Sequence, residues 1–425
     1  MVIVGGGFSG AMLAARLAER GRASVVIDRT GDFGRGVAYS TPFPGHLLNV
    51  RSGRMSAVEG RPGDFVDWLT THAPDHADPD GFAPRALYGR YVQDRLAAVE
   101  AAHPGLIRRE VAEVAAITEQ GVRLADGRMI TGGAVVLATG NPPPRTAKGD
   151  ARVLSDPWAP GALDSITEAD DVVIIGTGLT MIDVVQTLEA RGWTGRVAAL
   201  SFKGVAPLPH GYGHDAPADL PSDAVAGPLS QRLKAARALA RRTDWRAVME
   251  GYRPITARLW LEATTAQRAR FLRHLRPWWD VHRHRIAPQM ADMLTRLEDQ
   301  GRLTLRAGRL DRIETQEEGL AVHWRPADGA AADPLTAAWV IDCTGPAHDP
   351  ATHALTAPLI AAGRARLEPL GHGLDLDADG RVRDAAGHAD GRLWMVGPPA
   401  RAAYWETIAV PDIRKRIEIL VGALA

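Results

Sequence analysis

The chain has 425 residues, and its 50 basic side chains are balanced by 50 acidic ones. That length is too great for one small core and fits two or three domains. Zero formal net charge gives no general attraction to nucleic acid, so no nucleic-acid partner is expected. The longest uncharged stretch, at the N-terminus, is rich in glycine and predicts neither a signal peptide nor a membrane span.

A strand, a glycine-rich turn and a helix open the chain. The β-branched residues 2–4 lead into a Gly-x-Gly-x-x-Gly pattern over residues 5–10, and an alanine-rich helical sequence follows. In such a motif the first glycine permits a tight turn, the second lets the backbone approach a pyrophosphate, and the third lets the helix pack on the strand. Because Met1 almost abuts the strand, we expect the natural chain to begin a few residues earlier.

A second β-branched strand, residues 24–27, ends in Asp28. This is close to the spacing of about 20 residues at which a ribose-binding carboxylate is expected. The combined pattern predicts a dinucleotide site whose contacts are Gly5, Gly7, Ser9, Gly10 and Asp28.

The segment from residue 31 to residue 100 follows the strand that ends in Asp28, and we expect it to cover the first cofactor. It contains Asn49, whose amide is a candidate hydrogen-bonding group for cofactor or substrate. A turn-capping role for Asn49 is an equal alternative. Further on, a strand over residues 134–137 ends in a short turn at Thr139 and Gly140.

A second nucleotide motif lies near the middle of the chain. The β-branched residues 172–175 precede Gly176 and Gly178, and Thr180 begins a second helix. Met181 takes the third glycine position, so we expect this helix to lie slightly farther from its strand. Two motifs about 170 residues apart predict two cofactors, for which the usual pair is FAD and NAD(P)H.

The strand after the second motif, residues 196–200, ends without a carboxylate. Ser201 and Lys203 stand there instead, and a hydroxyl and an amine suit the 2′-phosphate of NADP. The alternative is that Lys203 is an ordinary surface lysine. The chain has one cysteine, Cys343, which excludes a flavin-linked disulfide reductase and indicates a reducing, cytoplasmic compartment.

Residues 206–294 interrupt the alternation of strands and helices. The segment is rich in arginine and predicts helices, which we expect to form a lid over the cofactor cleft, with a dimer interface or a solvated flank as alternatives. Trp278 and Trp279 are then candidates to cover a substrate, and Arg283 or Arg285 to hold an anionic group. His282 and His284 lie two apart on different helix faces, so no metal site is expected.

The C-terminal part repeats the strand-end turn at Gly345 and predicts a last strand that closes at Gly397. A helix that opens near Thr407 is expected to direct its N-terminus at the flavin, where negative charge gathers on reduction.

Four segments together resemble bacterial FAD/NAD(P)-binding proteins related to flavin-containing and N-hydroxylating monooxygenases. They are residues 34–41, 46–50, 176–183 and 405–411. The resemblance implies that Gly5, Gly7, Gly10 and Asp28 bind FAD, that Gly176, Gly178 and Thr180 bind the nicotinamide nucleotide, and that Trp405, Glu406, Thr407 and Ile408 lie against the flavin. One departure from the related enzymes concerns class B monooxygenases, which carry an aromatic-glycine-histidine motif just before their second glycine motif. Residues 153–158 stand at that place and lack the histidine, which disfavours Baeyer–Villiger oxygenation.

The sequence therefore predicts an α/β protein with two interleaved Rossmann-like dinucleotide-binding domains and a helical insertion. The expected FAD-binding domain combines residues 1–150 and 340–425. The expected NAD(P)-binding domain combines residues 151–205 and 295–339, and the insertion covers residues 206–294.

The expected activity is that of a single-component flavin monooxygenase that uses NADPH and O₂ to hydroxylate or N-oxygenate a small polar molecule. An NAD(P)H:acceptor flavin dehydrogenase and a non-catalytic flavin-bound sensor are the alternatives. Asn49, His282 and Glu406 are candidate catalytic residues because they are expected to face the cleft. The residues do not predict the substrate or the oligomeric state.

Overall fold

The computed structural model describes residues 1–41, 43–142, 144, 149–213, 216–346 and 349–424. Their strands are β1 (Val2–Val4), β2 (Ser24–Asp28), β3 (Ile107–Val111), β4 (Val114–Ile117), β5 (Gly121–Leu124), β6 (Met129–Thr131), β7 (Val135–Leu137), β8 (Val153–Leu154), β9 (Val172–Ile175), β10 (Val197–Ser201), β11 (Leu303–Gln316), β12 (Gly319–Pro326), β13 (Leu335–Ala337), β14 (Trp339–Asp342), β15 (Arg381–Arg383) and β16 (Ala389–Met395).

The helices of the same residues are α1 (Phe8–Ala18), α2 (Gly36–Tyr39), α3 (Asp64–His72), α4 (Arg85–Ala102), α5 (Leu179–Ala190), α6 (Ser222–Val225), α7 (Leu229–Ala240), α8 (Trp245–Tyr252), α9 (Thr256–Glu262), α10 (Thr265–Arg270), α11 (Arg276–Arg283), α12 (Pro288–Asp299), α13 (Ala357–Ala361), α14 (Arg401–Tyr404) and α15 (Val410–Ala423). A π-helical turn, Phe271–Leu275, joins α10 to α11. No helix of the described residues is long and apolar enough to cross a membrane.

The first sheet has the strand order β15-β16-β7-β1-β2-β3, and all neighbouring pairs except β15 with β16 are parallel. Its central strands are short runs of Val, Ile and Leu, because both faces of a parallel sheet are buried. Helices α1, α4 and α15 pack together on one face. The antiparallel sheet β4-β5-β6 contributes to the core on the other face.

The second sheet has the order β13-β12-β11-β10-β9-β14-β8, with parallel pairing from β11 through to β8. Helices α5 and α12 cover its core. The first sheet thus takes strands from both ends of the chain and the second from the middle. Two parallel sheets arranged in this way, with helices α6 to α11 inserted after β10, confirm the predicted fold class.

Strand β14 contains residues 340–342, which the sequence predicts to begin the second part of the FAD-binding domain. Strand β14 pairs with β9 in the second sheet, Val340 lying opposite Val173. Residue 340 therefore lies in the second sheet, and the chain reaches β15 of the first sheet after the turn at Gly345.

An ion pair connects the two sheet systems. The Arg85 guanidinium at the start of α4 donates to both carboxylate oxygens of Asp183 on α5, at 2.8 and 3.0 Å. Both side chains are largely buried, so this bidentate pair holds the relative position of the two helices more firmly than a surface pair would.

Candidate functional site

The first glycine turn has the geometry that its sequence predicts. Gly5 has a φ of +107°, and a Cβ atom there would overlap the carbonyl oxygen of Ala138. A Cβ atom at Gly10 would overlap the carbonyl oxygen of Gly5, so the third glycine is needed for α1 to pack on the turn. Gly7 precedes α1 without a side-chain cap, and the first amides of the helix are left for a ligand.

Asp28 holds the same turn together. One carboxylate oxygen accepts the Gly6 amide at 2.8 Å, and the other accepts the amide and hydroxyl of Thr30 at 2.9 and 2.7 Å. A carboxylate has about four acceptor positions, so capacity remains for a ribose hydroxyl. The carboxylate therefore shapes the turn in addition to the ribose contact that the sequence predicts.

The second turn repeats this construction. Gly176 has a φ of +109°, and a Cβ atom there would clash with the carbonyl group of Cys343. Gly178 precedes α5 without a side-chain cap, and a Cβ atom at Gly178 would meet no described atom within 4 Å. The helices that follow the two glycine turns, α1 and α5, thus have N-termini without side-chain caps beside glycine backbone. This arrangement fits two phosphate groups. Gly140 and Gly345, in the equivalent strand-end turns, are both left-handed.

The hydroxyl of Ser201 belongs to the turn after β10. The buried Thr177 hydroxyl donates to the carbonyl of Val205 at 2.6 Å and lies 2.8 Å from the Ser201 hydroxyl, which accepts the Gly204 amide at 3.0 Å. Ser201 therefore shapes the loop that presents Lys203. The sequence reasoning missed Thr177, although its position between the two glycines was a signal.

Lys203 is exposed and has a cationic neighbour that the sequence reasoning missed. The Lys203 ammonium lies 4.9 Å from the centroid of the exposed Phe202 ring, and the Arg309 guanidinium lies 4.6 Å from the same centroid. Arg309 follows the β10–β11 ladder, in which Ser201 pairs with Ala307. Two cations and an aromatic ring therefore lie at the end of β10.

The C-terminal segment reaches the first turn. Gly397 has a φ of +79°, and a Cβ atom there would overlap the hydroxyl of Ser9. The Thr407 hydroxyl donates to the Gly397 carbonyl at 2.6 Å. The structure thus brings together three predicted cofactor contacts from opposite ends of the chain. Helix α15 begins at Val410, slightly later than expected.

Trp405 adopts a strained backbone conformation. Its φ and ψ are 65° and −63°, and the Glu406 amide donates to the Tyr404 carbonyl at 2.8 Å, which defines a γ-turn of the rare, strained form. Among the described residues Trp405 is the single non-glycine residue with positive φ. Trp260 of the insertion stacks on its ring at 4.7 Å. Such strain persists only where the surroundings enforce it, and it concentrates at functional sites.

Glu406 is buried and tied to the insertion. Its carboxylate accepts the Trp279 indole N–H at 2.8 Å and lies 3.1 Å from the Arg283 guanidinium. Burial raises the pKa of Glu406, but Arg283 and His284 outweigh it and lower the pKa below its ordinary value. Glu406 is therefore held as an anion, which does not favour a role as a proton donor. The Arg283 guanidinium lies against this carboxylate, although its Nε and Nη2 atoms have no hydrogen-bond partner among the described residues.

The other two catalytic candidates, His282 and Asn49, make contacts with residues other than Glu406. His282 has its Nδ1 2.7 Å from the carbonyl of Trp278, one turn back on α11, and its ring packs edge-on against Trp245. The main-chain carbonyl of Asn49 accepts the His210 Nε2–H at 3.0 Å. Asn49 thus meets the insertion through its backbone.

The fold and its two matched turns are structurally like those of two-dinucleotide-binding flavoproteins. Residues 2–142 match the FAD-NAD(P)-binding family. The whole chain is similar in fold to ornithine N-hydroxylase from Kutzneria sp. 744, solved with reduced FAD, NADP⁺ and L-ornithine, at 16% identity and a TM-score of 0.69. The chain is also similar in fold to L-lysine 6-monooxygenase from Pseudomonas syringae, at 16% identity and a TM-score of 0.67. Each of the two matches covers 100% of this chain and 98% of the other chain.

A curated relative matches over part of the chain. A tRNA uridine 5-carboxymethylaminomethyl modification enzyme from Granulibacter bethesdensis is 29% identical over 157 residues, which cover 33% of this chain and 24% of that enzyme. The chain matches about a quarter of that relative's length, so the likeness concerns a shared segment.

Proposed function

We propose that this protein is an FAD-dependent oxidoreductase reduced by NADPH, a single-component monooxygenase that hydroxylates or N-oxygenates a small polar molecule with O₂. The observation that carries the proposal is the closure of the insertion on the C-terminal segment through Trp260, Trp279 and Arg283. Oxygen chemistry at a flavin needs a site from which water is excluded. The full-length likeness in fold to an ornithine N-hydroxylase and an L-lysine 6-monooxygenase is consistent with this proposal.

FAD, when bound, supplies the electron-accepting and oxygen-activating chemistry. The chain would hold it with the backbone around Gly5, Gly7, Ser9 and Gly10, with Asp28 on the ribose, and with residues 397–408 against the ring system. Asn49, Thr139 and Gly140 complete the proposed set. The first amides of α1, which have no side-chain cap, would orient the phosphates, because the helix N-terminus is positive.

The nicotinamide nucleotide would lie on the second turn, at Gly176, Gly178, Thr180 and Gly345. We assign its 2′-phosphate to Lys203 together with Arg309, with Ser201 shaping the loop. Both cations are exposed and flank Phe202, whose ring offers a stacking surface for adenine. An acid is missing at the end of β10, which also favours NADPH over NADH.

The domain limits are part of the proposal. We assign residues 1–142 and 349–425 to the FAD domain, 149–205 and 287–346 to the nucleotide domain, and 206–286 to a lid. Cys343 is buried, and burial raises the pKa of its thiol. A cytoplasmic location is part of the proposal, because a chain with a single cysteine forms no internal disulfide.

The decisive experiment has two steps on the purified holoprotein. Anaerobic NADPH should bleach the flavin, and in air a substrate should accelerate oxygen consumption with little release of hydrogen peroxide. A dehydrogenase would behave differently: NADPH would bleach the flavin and electrons would pass to an artificial acceptor, but no substrate would couple oxygen uptake to its own oxidation. A flavin that NADPH does not bleach would point to a sensor.

A further inference from the structure

Two of the four segments that carry the family resemblance meet through His46 and Asp183. The His46 Nε2 atom lies 3.1 Å from the Asp183 carbonyl oxygen and 2.9 Å from the Thr187 hydroxyl, and its Nδ1 atom lies 2.6 Å from the Thr41 hydroxyl. Burial lowers the pKa of His46, so the ring is neutral. A carbonyl oxygen can only accept, so Nε2 carries the ring hydrogen and Nδ1 accepts from Thr41. The ring therefore joins the loop before α4 to helix α5.

Arg85 joins the same loop to the same helix. Its backbone amide donates to the His46 carbonyl and its Nε–H to the Leu47 carbonyl, both at 2.8 Å. Its two Nη groups donate to the Asp183 carboxylate at 2.8 and 3.0 Å, and the two side chains are 12% and 8% exposed. Two parallel bonds fix the direction of approach as well as the distance. One side chain thus sets the position of both the loop and the helix.

A third residue of α5 takes part in this contact. The Gln186 Nε2–H donates to the Gly45 carbonyl at 2.7 Å. Asp183, Gln186 and Thr187 are three and four positions apart, so they lie on one face of the helix. We call the contacts that Gly45, His46 and Arg85 make with Asp183, Gln186 and Thr187 the domain clamp.

The domain clamp lies close to the second glycine turn. Helix α5 begins at Leu179, directly after Gly178, and Asp183 is about 6 Å farther along the helix axis. The uncapped amides at that end of α5 would hold the phosphates of the nicotinamide nucleotide. The other half of the clamp, with His46 and Arg85, belongs to the proposed FAD domain. The clamp therefore connects the parts of the chain that would carry the two cofactors.

The chemistry of the clamp favours orientation over simple cohesion. A buried ion pair contributes little net stability, because the desolvation of both charges offsets their attraction. An apolar contact of similar size would hold two domains together at least as well. A bidentate pair, and beside it a neutral histidine with both ring nitrogens engaged, permit a single relative arrangement of the groups they join.

We infer that Arg85, Asp183 and His46 are positioning residues, which hold α5 at the distance from the first sheet that hydride transfer requires. The inference rests on the proposed function and concerns its reductive step. In that step NADPH loses one hydride and becomes NADP⁺, and the flavin gains the hydride and is reduced. The reacting atoms have to lie about 3–3.5 Å apart, and a misplacement of about 1 Å lowers the rate about a hundredfold.

The test separates the rate of flavin reduction from nucleotide affinity. Anaerobic stopped-flow reduction of the holoprotein by NADPH gives the limiting rate at saturation, and calorimetry gives the affinity for NADP⁺. We expect Asp183→Asn and Arg85→Lys to lower the limiting rate at least about tenfold, with the affinity for NADP⁺ unchanged. Arg85→Lys is informative because lysine keeps the charge but cannot form two parallel bonds.

The matched control is Arg296→Met. Arg296 of α12 is half-exposed and lies 2.7 Å from Glu189, near the other end of α5. This ion pair joins two helices that cover the second sheet, so it does not link the proposed domains. Arg296→Met should reduce its flavin at the wild-type limiting rate.

A wild-type limiting rate in either clamp variant, or a loss confined to nucleotide affinity, would overturn the inference. A lower melting temperature with an unchanged limiting rate would show that the clamp is only structural. If Asp183→Asn does not fold, Arg85→Lys and Gln186→Met decide, since Gln186→Met removes the bond to Gly45 without leaving a buried charge and should also slow the reduction. Equal rates in a protein that NADPH bleaches would sink the clamp alone, whereas a wild-type flavin that NADPH does not reduce would sink the proposed function as well.

Discussion

Arg283 and Glu406 form a buried ion pair between the insertion and the C-terminal segment. Their side chains are 6% and 4% exposed, and the guanidinium lies 3.1 Å from the carboxylate. The same carboxylate accepts the indole N–H of Trp279, and it follows directly on the strained residue Trp405. These contacts through Glu406 therefore connect the insertion directly to the strained backbone beside the proposed flavin site.

The first prediction concerns this pair. Arg283→Met leaves the Glu406 carboxylate buried without its cation, and breaking a buried pair in this way costs about 3–5 kcal/mol. We expect a lower urea midpoint and more hydrogen peroxide released per NADPH consumed, because a loosened lid admits water. The exposed Arg273 provides the control, and Arg273→Met should match the wild type in both measurements. Unchanged coupling in Arg283→Met and in Trp279→Phe would remove the insertion from the active site.

The second prediction separates folding from cofactor binding. A side chain at Gly10 overlaps the Gly5 carbonyl, so Gly10→Val should yield little folded protein. Gly7 has ordinary extended backbone and its nearest described neighbour, the Gly36 Cα, would lie 3.3 Å from an added Cβ, so Gly7→Val should fold. We expect it to lose bound FAD, since the valine occupies the approach of the pyrophosphate.

Flavin content per folded protein, with folding checked by circular dichroism, measures the outcome. Gly133→Val is the control, because an added Cβ there meets no described atom within 4 Å. Full flavin occupancy in Gly7→Val would contradict the assignment of the first turn.

The third prediction concerns nucleotide preference. Lys203→Ala and Arg309→Ala should each lower the efficiency of NADPH-driven flavin reduction about tenfold to a hundredfold, as expected for loss of one cation from a phosphate. The efficiency with NADH should hardly change. Stopped-flow reduction by both nucleotides tests this, with the exposed Arg312 of the same strand as the control. Wild-type protein that prefers NADH would show that Lys203 is an ordinary surface lysine.

The fourth prediction is a pH dependence. Burial, together with Arg285 and Arg51, lowers the pKa of His210 to about 3 from an ordinary 6.5. Between these values the unfolded chain binds a proton that the folded protein does not, so stability falls as the pH drops through this window, by up to about 1.4 kcal/mol per pH unit. In His210→Gln, whose amide can still donate to the Asn49 carbonyl, this loss should be smaller.

Urea unfolding at about pH 7 and about pH 5 measures the difference. The exposed His76 supplies a control, and His76→Gln should keep the wild-type slope. An identical slope in His210→Gln would mean that His210 titrates normally in the folded state.

The sequence by itself determined the two nucleotide turns. Gly5, Gly10 and Gly176 are needed because a Cβ atom would strike backbone from the same turn or its neighbouring strand. Such requirements are local, so a motif of a few residues expresses them, and the alternation of strands and helices then predicts two parallel sheets.

Only the tertiary structure decided which distant side chains meet. Arg309 and Lys203 lie against the same Phe202 ring because β11 pairs with β10. Arg283 and Glu406 pair because the insertion packs on the C-terminal segment. Ser201 also shapes the turn after β10 for the same reason, since the Thr177 hydroxyl lies 2.8 Å from its own hydroxyl. Charge pairing carries no periodicity along a chain, and the burial that makes it strong exists only after the domains pack.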